Sequence, residues 1–415
     1  MTYQRIIYIS IFISLFFCSC KKKRESDEIK PAIPAEVIQP RSDSTTSSYK
    51  PTRLIKADSL YVVQSALIKV SAKFDPTLAV FQTQSKYDVK VYRVEYKTEY
   101  DGKIITASGI VALPFGENKA WPTLSYHHGT VFADSDAPTN NKNDQFVIAS
   151  LASAGYVIAA PDYIGFGSST GITHPYYVAK YSSTTPRDLL IATQELLAQK
   201  HIASNGKLFL AGYSQGGNVT MAVSKSIELN PLPGYNLTAT AVGAGGYNME
   251  GIFADITSRT EYSSPNYIAY IIQSYRKTYH LKDSLNYYFK EPYASRVDKL
   301  IDGKTDGSVI SNNLTSHFDS LIRPEFVNAV KNGTDINFST ALKENNLHNW
   351  KPTLPLKIYH SDADEVVPYS DSEFTYKTML DLGSTSVSFV QIQGKSHGAG
   401  SIPMIADVIN WFNSF

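Results

Sequence analysis

From residue 87 onward the chain runs through two hydrophobic rhythms. Residues 87–98 and 103–113 carry a period-two, β-rich pattern, and Asp101-Gly102 between them is the dipeptide of a tight hairpin. Beyond them lie short apolar runs at 122–126, 156–160, 207–210, 239–242, 356–359 and 386–392, the pattern of strands buried on both faces. Segments with helical spacing fall between these runs, at 146–153, 187–200, 215–229, 369–382 and 402–415. Strand alternating with helix predicts an α/β fold, a mostly parallel central sheet with helices on both faces. Residues 247–347 break the rhythm and read mostly as helices and loops. They are expected to form a helical cap inserted over the carboxyl end of the sheet, where open α/β sheets bind ligands.

The amino-terminal part follows neither rhythm. Arg5 precedes an apolar run at 6–17, about 12 residues against the ~20 a membrane-crossing helix needs. Cys18-Ser19-Cys20 and the basic block Lys21-Lys22-Lys23-Arg24 follow. This resembles a bacterial lipoprotein signal, in which a small residue precedes the lipidated cysteine. The resemblance makes Cys20, after Ser19, the lipidation site, although Phe17 stands where an aliphatic residue is usual. It implies a protein of the bacterial cell envelope held to a membrane by a lipid anchor. Residues 1–20 are then the signal and 21–50, with Pro31, Pro34, Pro40 and a Ser/Thr-rich stretch, a flexible tether. The core is expected over 51–246 and 348–415.

Composition narrows the chemistry. Across 415 residues, 39 Lys and Arg stand against 38 Asp and Glu, which gives no electrostatic footprint for nucleic acid. The only cysteines are Cys18 and Cys20, so the body has no disulfide framework, thiolate metal site or cysteine nucleophile.

One motif carries chemistry. Gly212-Tyr213-Ser214-Gln215-Gly216 sets G-x-S-x-G between a predicted strand and a predicted helix. The pattern alone is weak, but its placement is not: a turn that tight leaves no room for side chains at 212 and 216, and it exposes Ser214 at a helix start. In this arrangement the partners follow in the order nucleophile, acid, histidine. Of nine histidines, only His397 follows the loop after strand 356–359, and it sits in a predicted loop after the last strand. In the acid loop Asp362, Asp364 and Glu365 all compete.

Here the chain resembles the α/β-hydrolase superfamily, whose acid loop commonly reads Gly-x-x-Asp-x-x-Val-Pro. Aligning Val367-Pro368 makes Asp364 the acid, but Ser361 replaces the glycine and Asp362 stays as the alternative. The superfamily pattern also places the oxyanion donors at the amides of Gln215 and, in Tyr126-His127-His128-Gly129-Thr130, of Thr130 or a neighbour. Together with Pro161-Asp162-Tyr163-Ile164-Gly165-Phe166-Gly167 and the long cap, these motifs are similar to the secretory lipase branch. The resemblance covers about residues 87–415 and implies an α/β-hydrolase fold with Ser214, Asp364 and His397 as catalytic triad. It also implies a small-molecule or lipid ester as substrate, with no metal and no organic cofactor.

The nearest alternatives are a peptidase or a carbohydrate-ester esterase with the same triad, and, outside catalysis, a surface binding lipoprotein. The cap is expected to set acyl specificity, with apolar residues at 267–272 and 285–289. For any single one of these, a place in the cap's own core is the simpler reading.

Overall fold

The computed structural model describes residues 52–282 and 284–415; Cys20, the signal and the tether lie outside them. Among the described residues nine strands form one sheet in the order β1-β2-β3-β5-β4-β6-β7-β8-β9. The antiparallel part comprises β1 (Leu54–Val63), β2 (Asp88–Tyr100) and β3 (Lys103–Phe115), with β3 also antiparallel to β5 (Val157–Pro161). From β5 the sheet continues parallel through β4 (Trp121–His127), β6 (Ser204–Tyr213), β7 (Asn236–Gly243), β8 (Leu356–Ser361) and β9 (Val387–Ile392). This is the α/β-hydrolase architecture. The hairpin turns on Asp101 and Gly102, both at positive φ (51° and 71°), as a turn matched to strand twist demands.

Strand order reverses between β4 and β6: the chain leaves β4 for β5 on one side and returns to β6 on the other. Such a switch point opens a crevice between carboxyl ends, so the loop after β4 and the turn after β6 face each other there.

The small helices α1 (Ser65–Ser71) and α2 (Phe81–Gln84) precede β2. The sheet is flanked by α3 (Lys142–Ser153), α4 (Ala179–Gln199), α5 (Gln215–Leu229), α13 (Tyr369–Asp381) and α14 (His397–Phe412). Three of these start earlier than their sequence pattern indicates, α3 by four residues, α4 by eight and α14 by five, and in the last two a proline, Pro186 or Pro403, lies inside the helix. In α4 the hydroxyls of Ser183 and Thr184 both bond the Lys180 carbonyl within the proline-containing stretch. His397 is consequently the first residue of a helix rather than a free loop residue.

β1 has no counterpart among the predicted strands. Only its end residues Leu54 and Val63 are buried, so no apolar alternation marks it. Its start is pinned from α4. The buried Glu195 carboxylate accepts from the amides of Thr52, Arg53 and Leu54 and from the Thr52 hydroxyl at 2.6–3.3 Å. Burial raises the Glu195 pKa, but these donors outweigh it and hold the group below the ordinary glutamate range.

Between β7 and β8 the chain makes α6 (Met249–Ile256), α7 (Pro265–Thr278), α8 (Val297–Leu300), α9 (Gly307–Asn312), α10 (Phe318–Leu321), α11 (Pro324–Lys331) and α12 (Ile336–Glu344). The two ends of this segment meet where the Leu347 amide donates to the Tyr247 carbonyl at 2.7 Å, and Asp371 of α13 accepts from the amides of Tyr247 and Asn248. The helices share an apolar core with Phe132, Ile164, Tyr176 and Tyr177 from the loops after β4 and β5. Tyr270 of α7 stacks on Tyr176 with centroids 4.4 Å apart. No described helix is long and apolar enough to cross a membrane.

Glu195→Ala leaves three amides at the start of β1, those of Thr52, Arg53 and Leu54, without this acceptor. The expected loss is on the order of 2–4 kcal/mol in urea unfolding, since hydrogen bonds to charged groups contribute more than neutral ones. Unchanged stability would mean that β1 is held by its pairing with β2 alone.

Candidate active site

β6 ends at Tyr213 and α5 begins at Gln215, leaving Ser214 alone in the turn at φ 59° and ψ −129°. A serine reaches that conformation only when its surroundings hold it there. The Ser214 amide donates to the Gly243 carbonyl of β7 at 2.9 Å, and its carbonyl accepts from Gly217 and Asn218. The flanking glycines are required by space. A Cβ at Gly212 would stand 2.3 Å from the Gly216 carbonyl oxygen, and one at Gly216 would stand 2.0 Å from that of His127.

His397 reaches this turn from the start of α14. Its Nε2 lies 2.8 Å from Ser214 Oγ and its Nδ1 2.7 Å from Asp364 Oδ2. The carboxylate can only accept, so Nδ1 carries the proton and Nε2 is free to take one from Ser214. Asp364 is buried, and its other oxygen accepts from the amides of Val366 and Val367, both at 2.9 Å. Burial raises its pKa, but the hydrogen bonds from His360 and His397 outweigh that and keep it ionised well below the usual carboxylate range. Asp362, the competing acid, turns elsewhere: it accepts from the Gly394 amide and Gln391 Nε2. Glu365, the third candidate, accepts from the backbone amide of His397 at 3.0 Å, satisfying one of the free donors at that helix start.

The sequence reading passed over His360, the penultimate residue of β8. Its Nε2 lies 3.2 Å from both Asp364 Oδ2 and the Val367 carbonyl, and its Nδ1 2.7 Å from the Ser372 hydroxyl. Because two acceptors face Nε2, that nitrogen holds the proton. Asp364 Oδ2 is thus gripped by two imidazoles. The only sequence signal for this was position: a histidine at a strand end, four residues before the acid.

Gln215 is buried, and its side-chain Nε2 lies 2.6 Å from His174 Nε2 while His174 Nδ1 bonds the Ile164 carbonyl. That clamp fixes the first residue of α5 and with it the backbone amide beside Ser214. Gly129 packs against Ser214, where a built Cβ would lie 3.8 Å from the serine Cβ. Thr130 follows one peptide farther on, with its hydroxyl 2.8 Å from that of Tyr176. His127 sits beneath the turn, with Nδ1 2.7 Å from Thr220 Oγ1 and Nε2 2.9 Å from Ser125 Oγ. Thr220 in turn donates to the Gly216 carbonyl, so His127 ties the β4 loop to α5. Burial drives His127 and His174 down to about 3 and His128 to about 4. Asp162 braces the loops, accepting from Ser108, from the Thr139 hydroxyl and from the Thr139 amide. Among the described residues no group of three or more His, Cys, Asp or Glu side chains is placed to hold a metal ion.

The constellation has the chemistry of an activated serine: a hydroxyl in a strained turn, an imidazole at hydrogen-bond distance and a buried carboxylate orienting the imidazole. Residues 134–414 match the model of the secretory lipase family. The chain is similar to Lipase 9 of Candida albicans (23% identity over 322 residues, 73% of this chain and 66% of that protein). It is also similar to Lipase 4 of that organism (25% identity over 283 residues, 65% of this chain and 57% of that protein). It spans less than two thirds of the length of these relatives. A protein of solved structure from Legionella pneumophila superimposes with a TM-score of 0.81 at 26% identity, over 87% of this chain and 98% of that one. The rice cell wall degrading esterase LipA from Xanthomonas oryzae does so with 0.76 at 26% identity, over 86% and 96%.

The buried neutral histidines set an acid limit on the fold. His127 and His174 take up protons near pH 6.5 when unfolded but only near 3 when folded, so the unfolded chain binds more protons between those values. Their contribution to stability is complete above pH 6.5 and is lost as pH falls toward 3, by roughly 1.4 kcal/mol per pH unit per site at the steepest. Calorimetric midpoints are expected to drop through this window, and His127→Asn to flatten the drop. A profile of equal slope in that variant would remove His127 from the account.

Proposed function

The chain belongs to the secretory lipase family, and from that premise we propose that it hydrolyses carboxylic esters of lipid type through an acyl-enzyme on Ser214. The observation that carries this reading is the line from Ser214 Oγ through His397 to Asp364, with both links at 2.8 Å or less. The similarity to lipases and to an esterase supports ester hydrolysis over peptide hydrolysis.

As Ser214 Oγ bonds to the acyl carbon, His397 Nε2 takes its proton and the carbonyl electrons move onto oxygen. The amides of Gln215 and Thr130 are the donors for that oxyanion, and Gln215 is prepositioned by its clamp to His174. Asp364 stays ionised and stabilises the imidazolium. Collapse of the intermediate expels the alcohol, which takes the proton from His397. Water then repeats the sequence on the acyl-enzyme and releases the acid. His360 is a positioning residue: its bond to Asp364 Oδ2 keeps the carboxylate aimed at His397.

The same proposal places the protein in the bacterial cell envelope, with Cys20 as the lipid anchor that keeps the enzyme at a membrane.

Ser214→Ala is expected to abolish ester hydrolysis and fluorophosphonate labelling with little change in melting temperature. Asp364→Asn is expected to lower kcat by roughly 10³–10⁴, and Asp362→Asn to have far less effect. His360→Leu is expected to lower it by roughly ten- to a hundredfold, the scale of one charge-assisted hydrogen bond. Turnover by Ser214→Ala, or equal losses at 362 and 364, would overturn the assignment. For the anchor, mass spectrometry of membrane-fraction protein is expected to find diacylglyceryl-modified Cys20 at the amino terminus. A Cys20→Ala variant that stays in that fraction with an unmodified start would sink it.

A further inference from the structure

Two apolar cavities meet at Ser214. One, of about 30 Å³, lies under the cap between Tyr267, Ile268 and the loop of Val366, Val367 and Pro368. The other, of about 290 Å³, lies within the hydrolase core, with Ser214 and His397 in its wall. Leu124 of β4, Leu151 of α3 and Met404, Val408 and Phe412 of α14 line it farther in. The last three recur every four residues, so a single stripe of α14 faces the cavity along most of its length of about 24 Å.

A void of this size is not an incidental packing fault. Protein interiors leave few gaps larger than a water molecule, and this one is roughly twice the ~150 Å³ cavity that holds a benzene ring. Its wall contains no Asp, Glu, Lys or Arg side chain. The hydroxyls of Tyr156 and Ser401 are already committed, to Asn413 and to the Gly398 carbonyl, while the buried hydroxyl of the lining residue Tyr213 has no hydrogen-bond partner among the described residues. Its mouth is lined by Gly129, Gly212 and Gly398, and a Cβ at Gly398 would meet nothing within 4 Å. An uncharged, apolar tube that opens at the nucleophile suits a hydrocarbon chain attached to the carbonyl under attack.

We propose that this cavity, rather than the cap, holds a linear alkyl chain of the substrate, and that Leu151 and Val408 set its limit at about eight to ten carbons. The proposal rests on the reading of Ser214 as an ester-cleaving nucleophile. Acyl and alkoxy chains both attach within two bonds of the reacting carbon, so either can enter, and the test separates them.

Methyl decanoate, decyl acetate and methyl acetate are compared in the wild type and in Val408→Phe and Leu151→Phe, which add bulk to the lining from α14 and from α3. Each variant is expected to lower the rate on one of the two ten-carbon esters relative to methyl acetate by ~30-fold. Loss on methyl decanoate assigns the cavity to the acyl chain, and loss on decyl acetate to the alcohol. Folded variants with wild-type ratios for both esters would overturn the proposal. If the variants do not fold, the wild type decides through its chain-length series: a steep fall beyond about ten carbons supports the cavity, and a flat profile to eighteen overturns it. If no ester is turned over, the ester reading of Ser214 fails, and the cavity is judged by binding alone. Decanoate or 1-decanol is expected to raise the melting temperature of Ser214→Ala but not of Ser214→Ala/Val408→Phe, and no shift in Ser214→Ala refutes it.

Discussion

The close approach of three chain segments at Ser214 is the constraint around which the molecule is arranged. The serine is held at positive φ because the Gly243 carbonyl of one neighbouring strand takes its amide, while the His127 carbonyl of the other presses on Gly216. Conformational strain of this kind persists only where the surroundings over-determine it. The surroundings here are the central strands of a parallel sheet, buried on both faces and clamped from below by His127, Thr220 and Ser125. The strand-order reversal between β4 and β6 puts the His-His-Gly-Thr loop opposite Ser214, so the turn and the loop facing it come from a single topological feature.

Around that turn, burial separates the ionisable groups into two classes. His127 and His174 have no carboxylate at hydrogen-bond distance, and desolvation keeps them neutral so that they serve as fixed donors and acceptors. Asp364 is equally shielded but meets two backbone amides and two imidazoles, and those donors keep it charged. A group kept charged by dedicated donors and others kept neutral by their absence give the site one fixed negative charge, placed behind His397. Glu365 adds an outer carboxylate on the amide of His397, at the amino end of α14.

Most of the apolar stretches of the insertion serve its own core, the simpler reading of residue types, while Tyr267, Ile268 and Ile271 also line the small cavity at Ser214. Of the aromatic and aliphatic stretches in the insertion, Tyr288 and Phe289 are buried in the cap's own core and line neither cavity at Ser214. Tyr270 is spent on stacking against Tyr176 and Phe132, and Tyr267 alone of the insertion faces both cavities. An insertion this long must bury its own apolar residues to hold its shape, and that requirement consumes most of its aromatic surface. The larger of the two cavities at Ser214 lies instead along α14, with His397 and Gly398 in its wall.

Local sequence was sufficient where a residue's role depends on its immediate neighbours. The hairpin at Asp101-Gly102 and the turn at Ser214 were legible because positive φ or extreme crowding leaves a chemical trace, glycine or its close substitutes, at fixed offsets. Strands buried on both faces were legible as apolar runs, and chain order singled out His397. Tertiary structure decided what depends on groups distant in the chain. β1 carries no alternation of its own and is held by its pairing with β2 and by Glu195, some 140 residues away, at its start. Asp362 and Asp364, alike in the sequence, are told apart by their surroundings only when β8 and β9 come into register and set one carboxylate toward Gly394 and the other toward His397. His174 left no mark in the sequence and His360 only its position before Asp364, because a histidine that bonds across elements looks like any other histidine until its partners are placed. The cavity along α14 is a space rather than a residue, and a void is defined only by the walls that folding brings together.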